Sequence, residues 1–231
     1  TPLTKDVDYT VSYGDNINVG KNSGSVTITA VSGGNYTFSD VTAYFDIVAQ
    51  AGSISIVAKE AEYTGSAYAE SNIEVTKNNE AANVTFTYYT DADATKPTTT
   101  DSGAASDGAA PKNAGTYYVK ASMAASGNYD SATSNAEPFT ITKKALTITA
   151  DNQTITFGDA VPTYTFTATG YVGDDNDSVV NANFACDYTQ GDNAGTYTIT
   201  VTATAANYKI SCNRGTLTVA KKTLTADDLN P

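Results

Sequence analysis

The sequence contains neither histidine nor tryptophan, and it has only one methionine, one arginine and two cysteines. Without histidine, the chain cannot form a Ser-His-Asp or Cys-His catalytic arrangement or a zinc site with imidazole ligands. Its 25 acidic and 13 basic side chains give a formal net charge of −12. Nucleic-acid binding depends on clustered cations that release counterions, so this balance does not suit it. We therefore expect no enzymatic activity and no nucleic-acid partner.

Long apolar runs are also missing. The longest runs, such as Ile54 to Ala58, cover a few residues, whereas a membrane-spanning helix needs about 20. We expect a soluble chain that does not insert into a membrane. The first residues do not have the basic and apolar regions of a secretion signal, which decides nothing about export.

The residues that are abundant are those of β-strands. About one residue in six is Thr and 16 are Tyr, a composition typical of pleated, half-buried strands. Apolar and Thr residues alternate at Val26–Thr29, Val84–Tyr88, Leu146–Thr149, Tyr164–Thr167 and Tyr197–Thr202. No segment has a sustained apolar period of a helix, so we expect short helical turns at most. The predicted fold class is all-β, built of tandem immunoglobulin-like β-sandwich repeats.

The repeats are marked by one ordered pattern that occurs three times. Each copy has an Asn-X-Gly turn, a strand, an Asn-Tyr pair and a closing strand. The turns are Asn18-Val19-Gly20, Asn113-Ala114-Gly115 and Asn193-Ala194-Gly195, the last two followed by Tyr117 and Tyr197; the pairs are Asn35-Tyr36, Asn128-Tyr129 and Asn207-Tyr208. We expect each Gly to adopt positive φ, each turn Asn to bond its own backbone, and each pair to end a hairpin with its ring closing one end of the sandwich.

The closing strands and the dilysines that follow two of them set the predicted boundaries. Residues 1–51 form an incomplete repeat, residues 52–144 a repeat with a long loop at 90–112, and residues 145–222 a complete repeat. Residues 223–231 resemble the start of a further, truncated repeat. A unit of about 50 residues buries too little surface to be stable alone. We therefore expect the incomplete repeat to pack on the next repeat or to pair its open edge with another chain.

These motifs resemble the MBG-type immunoglobulin-like repeats of bacterial proteins. The resemblance rests on Asn-Ala-Gly-Thr-Tyr at 113–117 and 193–197, the Asn-Tyr pairs, and the closing strands with Lys-Lys. It is strongest in the third repeat, where Phe157 replaces the Tyr of the family's Tyr-Gly-Asp motif. The resemblance implies tandem β-sandwich modules in large secreted or surface-anchored, adhesin-like proteins, with neighbouring repeats as partners and no catalytic residues. The implied localisation is extracellular or at the bacterial cell surface.

Two kinds of side chain suggest local chemistry. Cys186 and Cys212 lie in predicted strands and are either a disulfide or two small unpaired core residues, since spacing alone does not fix geometry. The acidic stretch with Asp174, Asp175 and Asp177 could supply oxygen ligands to Ca²⁺ or be a solvated turn. Asp227 and Asp228 are weaker candidates of the same kind. We expect no other cofactor.

Recognition of a ligand has two candidate locations. Loop 93–112 is rich in Ala, Thr, Ser and Gly, and loops carry most recognition by β-sandwiches. The tyrosines Tyr63, Tyr68, Tyr88, Tyr89, Tyr117 and Tyr118 could present an aromatic platform to a glycan, although one member of each adjacent pair must point inward. Carboxylate pairs such as Glu60 and Glu62 could serve glycoside hydrolysis only within a cleft.

Three functions follow as hypotheses. The first is a non-enzymatic spacer or stalk module in a large bacterial surface or secreted protein. The second is a module that binds host glycan or protein through loop 93–112 or exposed tyrosines. The third is an accessory part of a secreted enzyme whose activity lies outside this chain.

Overall fold

A computed structural model describes residues 1–99 and 108–225 of the chain. In these ranges the fold is all-β, with seventeen strands and two single-turn 3₁₀ helices at Glu70–Asn72 and Asp177–Val179. The predicted all-β class and the expectation of short helical turns are confirmed, whereas the tandem repetition of sandwiches stays a prediction. Neither helical turn in the described part could reach across a bilayer.

The strands follow one another closely along the chain. In its first half they are β1 (Tyr9–Tyr13), β2 (Gly20–Ala30), β3 (Val41–Ile47), β4 (Ile54–Ala58), β5 (Ala61–Glu62), β6 (Ile73–Lys77), β7 (Val84–Tyr89) and β8 (Gly115–Met123). In its second half they are β9 (Ala132–Thr133), β10 (Glu137–Thr142), β11 (Lys144–Ala150), β12 (Gln153–Thr156), β13 (Phe166–Thr169), β14 (Asn181–Cys186), β15 (Gly195–Thr204), β16 (Tyr208–Asn213) and β17 (Gly215–Ala220).

The chain divides into two compact units. The first unit comprises Thr1–Val57, Glu74–Thr87 and Val119–Glu137, and the second comprises Ala58–Ile73, Tyr88–Tyr118 and Pro138–Pro231. Each unit includes segments of the predicted second repeat. The boundaries of the repeats therefore stay a prediction.

The first unit contains a three-stranded antiparallel sheet in the order β1-β2-β3. Its register places Val11 opposite Ile28 and Ile28 opposite Val41, which gives one apolar face. The neighbouring positions carry Thr, and the hydroxyls of Thr27 and Thr42 lie 2.9 Å apart on the other face. The alternation read in the sequence thus produces an apolar face and a Thr face, as strand geometry requires.

This first sheet contributes little to the buried core. Among the described residues the buried apolar side chains begin at Ile56, and Val41 on the apolar face is 58% exposed. Val26 and Ile28 are half-buried. The core of the first unit instead includes Ile56, Ala121 and Met123.

The second unit contains a pair of sheets with the strand orders β13-β11-β16 and β12-β17-β15-β14. Every second residue of β11 and β17 is buried, including Leu146, Ile148, Leu217 and Val219. Ile199 of β15 is also fully buried. These apolar side chains form the core of this part, while the intervening Thr residues remain more exposed.

The chain changes sheet between β11 and β12. β11 pairs in parallel with β16 and β12 in parallel with β17. The connecting residue Asp151 accepts hydrogen bonds from the hydroxyls of Thr165 at 2.6 Å and Thr167 at 2.8 Å. β13 begins at Phe166 rather than at Tyr164, where the sequence pattern predicts it.

The remaining sheets have the orders β5-β10-β8-β7, with β9 on β8, and β4-β6. Within the second unit the ring of Tyr68 packs on Phe139 with centroids 4.1 Å apart. Tyr88 packs edge-on against both rings. The Tyr68 hydroxyl donates to the carbonyl of Lys59 at 2.6 Å. Burial raises the pKa of Tyr88.

Candidate functional site

Each of the three Asn-X-Gly turns leads into a strand that begins at its glycine, Gly20, Gly115 or Gly195. The expectation of positive φ at these glycines is wrong, because the residues that adopt it lie elsewhere. At the second and third turns, a tyrosine two residues into the strand stabilises the turn instead. The hydroxyl of Tyr117 donates to the carbonyl of Asn113 at 3.0 Å, and the hydroxyl of Tyr197 donates to that of Asn193 at 2.7 Å.

The side chain of Asn128 binds the first turn. Its Nδ2 donates to the carbonyl of Ile17 at 2.8 Å, and its Oδ1 accepts from the amide of Val19 at 3.0 Å. Both contacts lie within the first unit. A side-chain amide has donor and acceptor groups that can bridge two such backbone groups.

The side chain of Asn207 binds the second turn in a closely similar way, within the second unit. Its Oδ1 accepts from the amide of Ala114 at 2.9 Å, and its Nδ2 donates to Oδ1 of Asn113 at 2.9 Å. We call each such contact an asparagine clamp. In both clamps the asparagine of an Asn-Tyr pair binds the Asn-X-Gly turn of the repeat predicted to precede it.

The main chain reinforces each clamp. The carbonyl of Asn128 accepts from the amide of Gln50 at 2.8 Å, and the carbonyl of Asn207 accepts from the amide of Lys144 at 3.0 Å. Gln50 and Lys144 occupy the predicted junctions between repeats. Each clamping asparagine therefore binds two parts of the chain. One is the Asn-X-Gly turn of the preceding repeat, and the other is the junction that follows that turn in sequence.

Tyr208 extends the second clamp through its ring and hydroxyl. It is 3% exposed, and its hydroxyl donates to Oδ2 of Asp175 at 2.6 Å and accepts from the amide of Val172 at 3.1 Å. Tyr63 also donates to Oδ2 of Asp175, at 2.9 Å, and its ring meets that of Tyr208 edge-on at 5.5 Å. The predicted closing role of the Asn-Tyr ring is thus combined with a polar network.

The surroundings of Tyr208 and Tyr171 raise the pKa values of their hydroxyls. Burial, followed by the hydrogen bond to Asp175, raises the pKa of Tyr208 to about 12. Burial and the hydrogen bond to Asp177 raise the pKa of Tyr171 to about 12. Both hydroxyls therefore remain protonated donors at neutral pH.

The calcium candidates are used differently. Asp175 binds two tyrosine hydroxyls, and Asp177 accepts from Tyr171 at 3.0 Å. Asn176 Oδ1 accepts from the amide of Ser178, which starts the second 3₁₀ turn. In the described ranges, no three acidic or cysteine side chains lie close enough together to hold a metal ion. Asp227 and Asp228 lie outside the described residues.

The tyrosine candidates for a glycan platform are mostly inside the fold. Tyr63, Tyr68 and Tyr88 are 3%, 5% and 2% exposed. Tyr89, Tyr117 and Tyr118 are half-buried. The expectation of an exposed platform at Tyr63, Tyr68 and Tyr88 is therefore wrong, because these rings belong to the core.

Loop 93–112 is described at 93–99 and 108–112. It is preceded by a turn in which Asp91 accepts from the amide of Lys96 at 2.8 Å and from the hydroxyl of Thr95. The hydrogen bond from Thr95 is the main cause that lowers the pKa of Asp91. Thr98 is buried, and its amide donates to the carbonyl of Tyr88 at 2.9 Å. The amide of Gly108 donates to the carbonyl of Thr98 at 3.2 Å, so both described parts of the loop are anchored.

The remaining candidates are dispersed. Cys186 in β14 and Cys212 in β16 are free thiols in different sheets, the first half-buried and the second exposed. Neither the disulfide nor the pair of core residues is found. Glu62 forms an exposed ion pair with Lys144. Asn35 and Tyr36 of the first Asn-Tyr pair are exposed.

Sequence reasoning missed the partners of the clamps. The repetition of Asn beside Tyr was a usable signal, because a hairpin end does not by itself require asparagine. It did not identify the turns as partners, which lie 93 and 109 positions away in sequence. From the sequence alone, Asp175 and Tyr63 are separate candidates for other roles.

Comparison with known proteins supports the resemblance to MBG-type repeats in one segment of the chain. Residues 146–218 match the MBG domain (YGX type), which confirms the resemblance for that segment. No curated protein matches the chain. A solved structure of fibronectin(III)-like modules of Clostridium thermocellum CbhA is 19% identical, covers 73% of this chain and 95% of its own, and has a TM-score of 0.23.

Proposed function

We propose that this chain is a non-catalytic structural spacer, part of a stalk in a large bacterial cell-surface or secreted protein of the adhesin-like kind. The all-β fold and the MBG-type segment make it a β-rich module. The observation that carries the proposal is the pair of asparagine clamps. They hold successive predicted repeats together by side-chain and main-chain hydrogen bonds at their junctions.

In a spacer, the resistance of the junctions to bending matters more than any ability to bind a ligand. A flexible linker of Gly and Ser samples a broad range of end-to-end distances. At each junction here, one asparagine makes three hydrogen bonds, two through its side chain and one through its carbonyl. The rings of Tyr63 and Tyr208 add a buried contact at the second junction. Such a junction restricts relative motion of the repeats it joins.

The acidic surface suits the same role. A net charge of −12 favours solubility and opposes self-association. The chain has few lysines and one arginine, so it offers little attraction to anionic surfaces. These properties support an exposed extracellular location.

The experiment places the chain between a cell-surface anchor and a fluorescent reporter and measures the distribution of distances from anchor to reporter. We expect a narrower distribution than a Gly-Ser linker of equal length gives. The double variant Asn128→Ala and Asn207→Ala should broaden it. An unchanged width in a variant that remains folded would contradict the spacer function.

A binding screen tests the competing recognition function. The whole chain and a version lacking residues 100–107 are applied to glycan and protein arrays. The spacer function predicts no specific ligand for either. A ligand that binds the whole chain and is lost with the deletion would establish recognition by loop 93–112 instead.

A further inference from the structure

The third Asn-X-Gly turn has the features of the second turn, which is clamped. The hydroxyl of Tyr197 donates to the carbonyl of Asn193, as that of Tyr117 does to Asn113. The strand begins at the glycine in both cases. In the described chain, however, no asparagine side chain binds the amide of Ala194, and Asn193 is exposed. The third turn therefore has the same backbone and side-chain groups that an asparagine clamp binds, and no asparagine among the described residues binds them.

The ring beside this turn supports the same reading. Phe157 occupies the position that Tyr63 occupies at the second clamp, since the amide of Phe157 donates to the carbonyl of Ala220 at 2.8 Å and that of Tyr63 to Thr142 at 2.9 Å. Tyr63, covered by Tyr208, is 3% exposed, whereas Phe157 is 40% exposed. Within the described ranges, the ring of Phe157 therefore lacks a contact like the one that Tyr208 makes with Tyr63 at the equivalent position.

The exposed ring and the open turn line one depression. Its volume is about 450 Å³, and it is bounded by Phe157, Asn193, Ala194, Lys221, Lys222 and Leu224. Leu224 is 55% exposed. Exposed apolar side chains grouped beside polar backbone groups are typical of a surface that another protein element covers.

We propose that this depression is a docking site for the Asn-Tyr hairpin of a further β-sandwich module of the same type, joined to the chain after Lys222. The asparagine of that module accepts from the amide of Ala194 and donates to the side chain of Asn193. Its tyrosine ring packs on Phe157. This inference rests on the proposed spacer function and names the partner of this end of the module.

The geometry favours a module on the same chain over a separate molecule. At both existing clamps the asparagine carbonyl also accepts from the junction residue, Gln50 or Lys144. At the second junction, β11 and β16 then pair in register from Lys144 and Tyr208 onward. Such an arrangement uses the high effective concentration that a covalent junction provides. A second, separate copy would have to form the same contacts without it.

Phe157 also makes the third docking site different from the second. Tyr63 donates a hydrogen bond to Asp175 across the junction, and a phenyl ring cannot. A module docked on Phe157 therefore needs the Asn-Tyr pair but no carboxylate facing this ring. The two sites should differ in their requirement for that acidic residue.

The test extends the chain by a second copy of residues 145–222 placed after Lys222. The original part is isotope-labelled by segmental ligation, so that its signals are distinct. Hydrogen exchange of the Ala194 amide is measured with and without the extension. We expect exchange to slow by about tenfold, as for an amide that gains one hydrogen bond in a folded interface. Asn207→Ala in the added copy should restore the original rate.

Two controls keep this test decisive. Asn183→Ala in the added copy removes an exposed asparagine and should leave the slow exchange unchanged. Asn207→Leu replaces the side-chain amide by an apolar group of similar size that cannot accept from Ala194, and it provides a second variant if Asn207→Ala does not fold. The Ala114 amide, already clamped in the original chain, should be protected throughout.

Unchanged exchange at Ala194, with the added copy folded as judged by its protected core amides, would overturn the docking site. Protection that rises with concentration in the chain without extension would also overturn it, since a separate copy would then be the partner. Neither result changes the anchor-to-reporter distance distribution of the original chain. Failure of the docking site and failure of the spacer function are therefore distinguishable.

Discussion

Asn207 and Asn113 meet side chain to side chain, with Nδ2 of Asn207 2.9 Å from Oδ1 of Asn113. The same asparagine accepts from the amide of Ala114. One residue of an Asn-Tyr pair thus binds a turn 94 positions earlier in the chain. A motif that would pass as the end of a hairpin is in fact a joint between two predicted repeats.

Removing this joint should destabilise the second unit. Asn207→Ala deletes two side-chain hydrogen bonds of a half-buried asparagine, and we expect it to lower the free energy of unfolding by about 1–3 kcal/mol. Urea unfolding followed by tyrosine fluorescence measures the change. Asn35→Ala removes the exposed asparagine of the first Asn-Tyr pair and should cost less than about 0.5 kcal/mol. Equal losses for the two variants would show that the clamp adds no stability.

The sequence predicted the strands better than it predicted their partners. Alternation of Thr with apolar residues located β2, β7, β11 and β15, because the pleat imposes a local period of two. The clamps depend on hydrogen bonds between distant residues, and these leave no periodic trace. The conformation of Gly115 was also mispredicted, because the hydroxyl of Tyr117 stabilises the turn without positive φ.

Asp175 is another residue whose partners the sequence alone does not reveal. In sequence, the clustering of Asp174, Asp175 and Asp177 is compatible with oxygen ligands for a cation or with a solvated turn. In the fold, Asp175 binds two tyrosines, one of them 112 positions away. The composition of a short stretch cannot distinguish cation binding from acceptance of tyrosine hydrogen bonds, since a carboxylate can do either.

Alkaline pH should weaken the second unit through Tyr208. The pKa of this tyrosine is raised to about 12 in the folded chain, against about 10 in an unfolded one. A raised pKa means that the stabilisation is complete below about pH 10 and is lost as the pH rises toward 12. Tyr208→Phe should be less stable at pH 8 and should lose less stability between pH 10 and 12.

Urea unfolding of both proteins at several pH values in that interval measures this effect. The comparison with Tyr208→Phe removes the contribution of all other ionisable groups, which the two proteins share. Parallel loss of stability in the two proteins would contradict the assigned role of the Tyr208 hydroxyl.

A close backbone approach should make Gly215 irreplaceable. A Cβ at this position would lie 2.5 Å from the carbonyl oxygen of Ala150 and 2.9 Å from that of Asp151. Since neither backbone can yield without disturbing β11, Gly215→Ala should cost about 2 kcal/mol or more. Gly195, on the paired strand β15, has open space around it. Gly195→Ala should therefore leave the thermal midpoint almost unchanged, and a comparable loss there would refute the steric explanation.

The two cysteines should react with a thiol reagent as separate, unpaired thiols. Cys212 is exposed and Cys186 half-buried, so Ellman's reagent should modify Cys212 faster in the folded chain. Cys212→Ser should abolish the fast phase and leave the slow one. An intact mass two hydrogens below that of the reduced chain, with no reaction before unfolding, would show a disulfide and refute this assignment.

We propose that the clamps make stiff junctions between predicted repeats, and ¹⁵N relaxation of the backbone amides tests this stiffness most directly. Residues 108–118 and 144–220, on the two sides of the second clamp, should share one rotational correlation time. Asn207→Ala should give the two segments different values. Different correlation times in the unmodified chain would show a loose junction and would contradict the account.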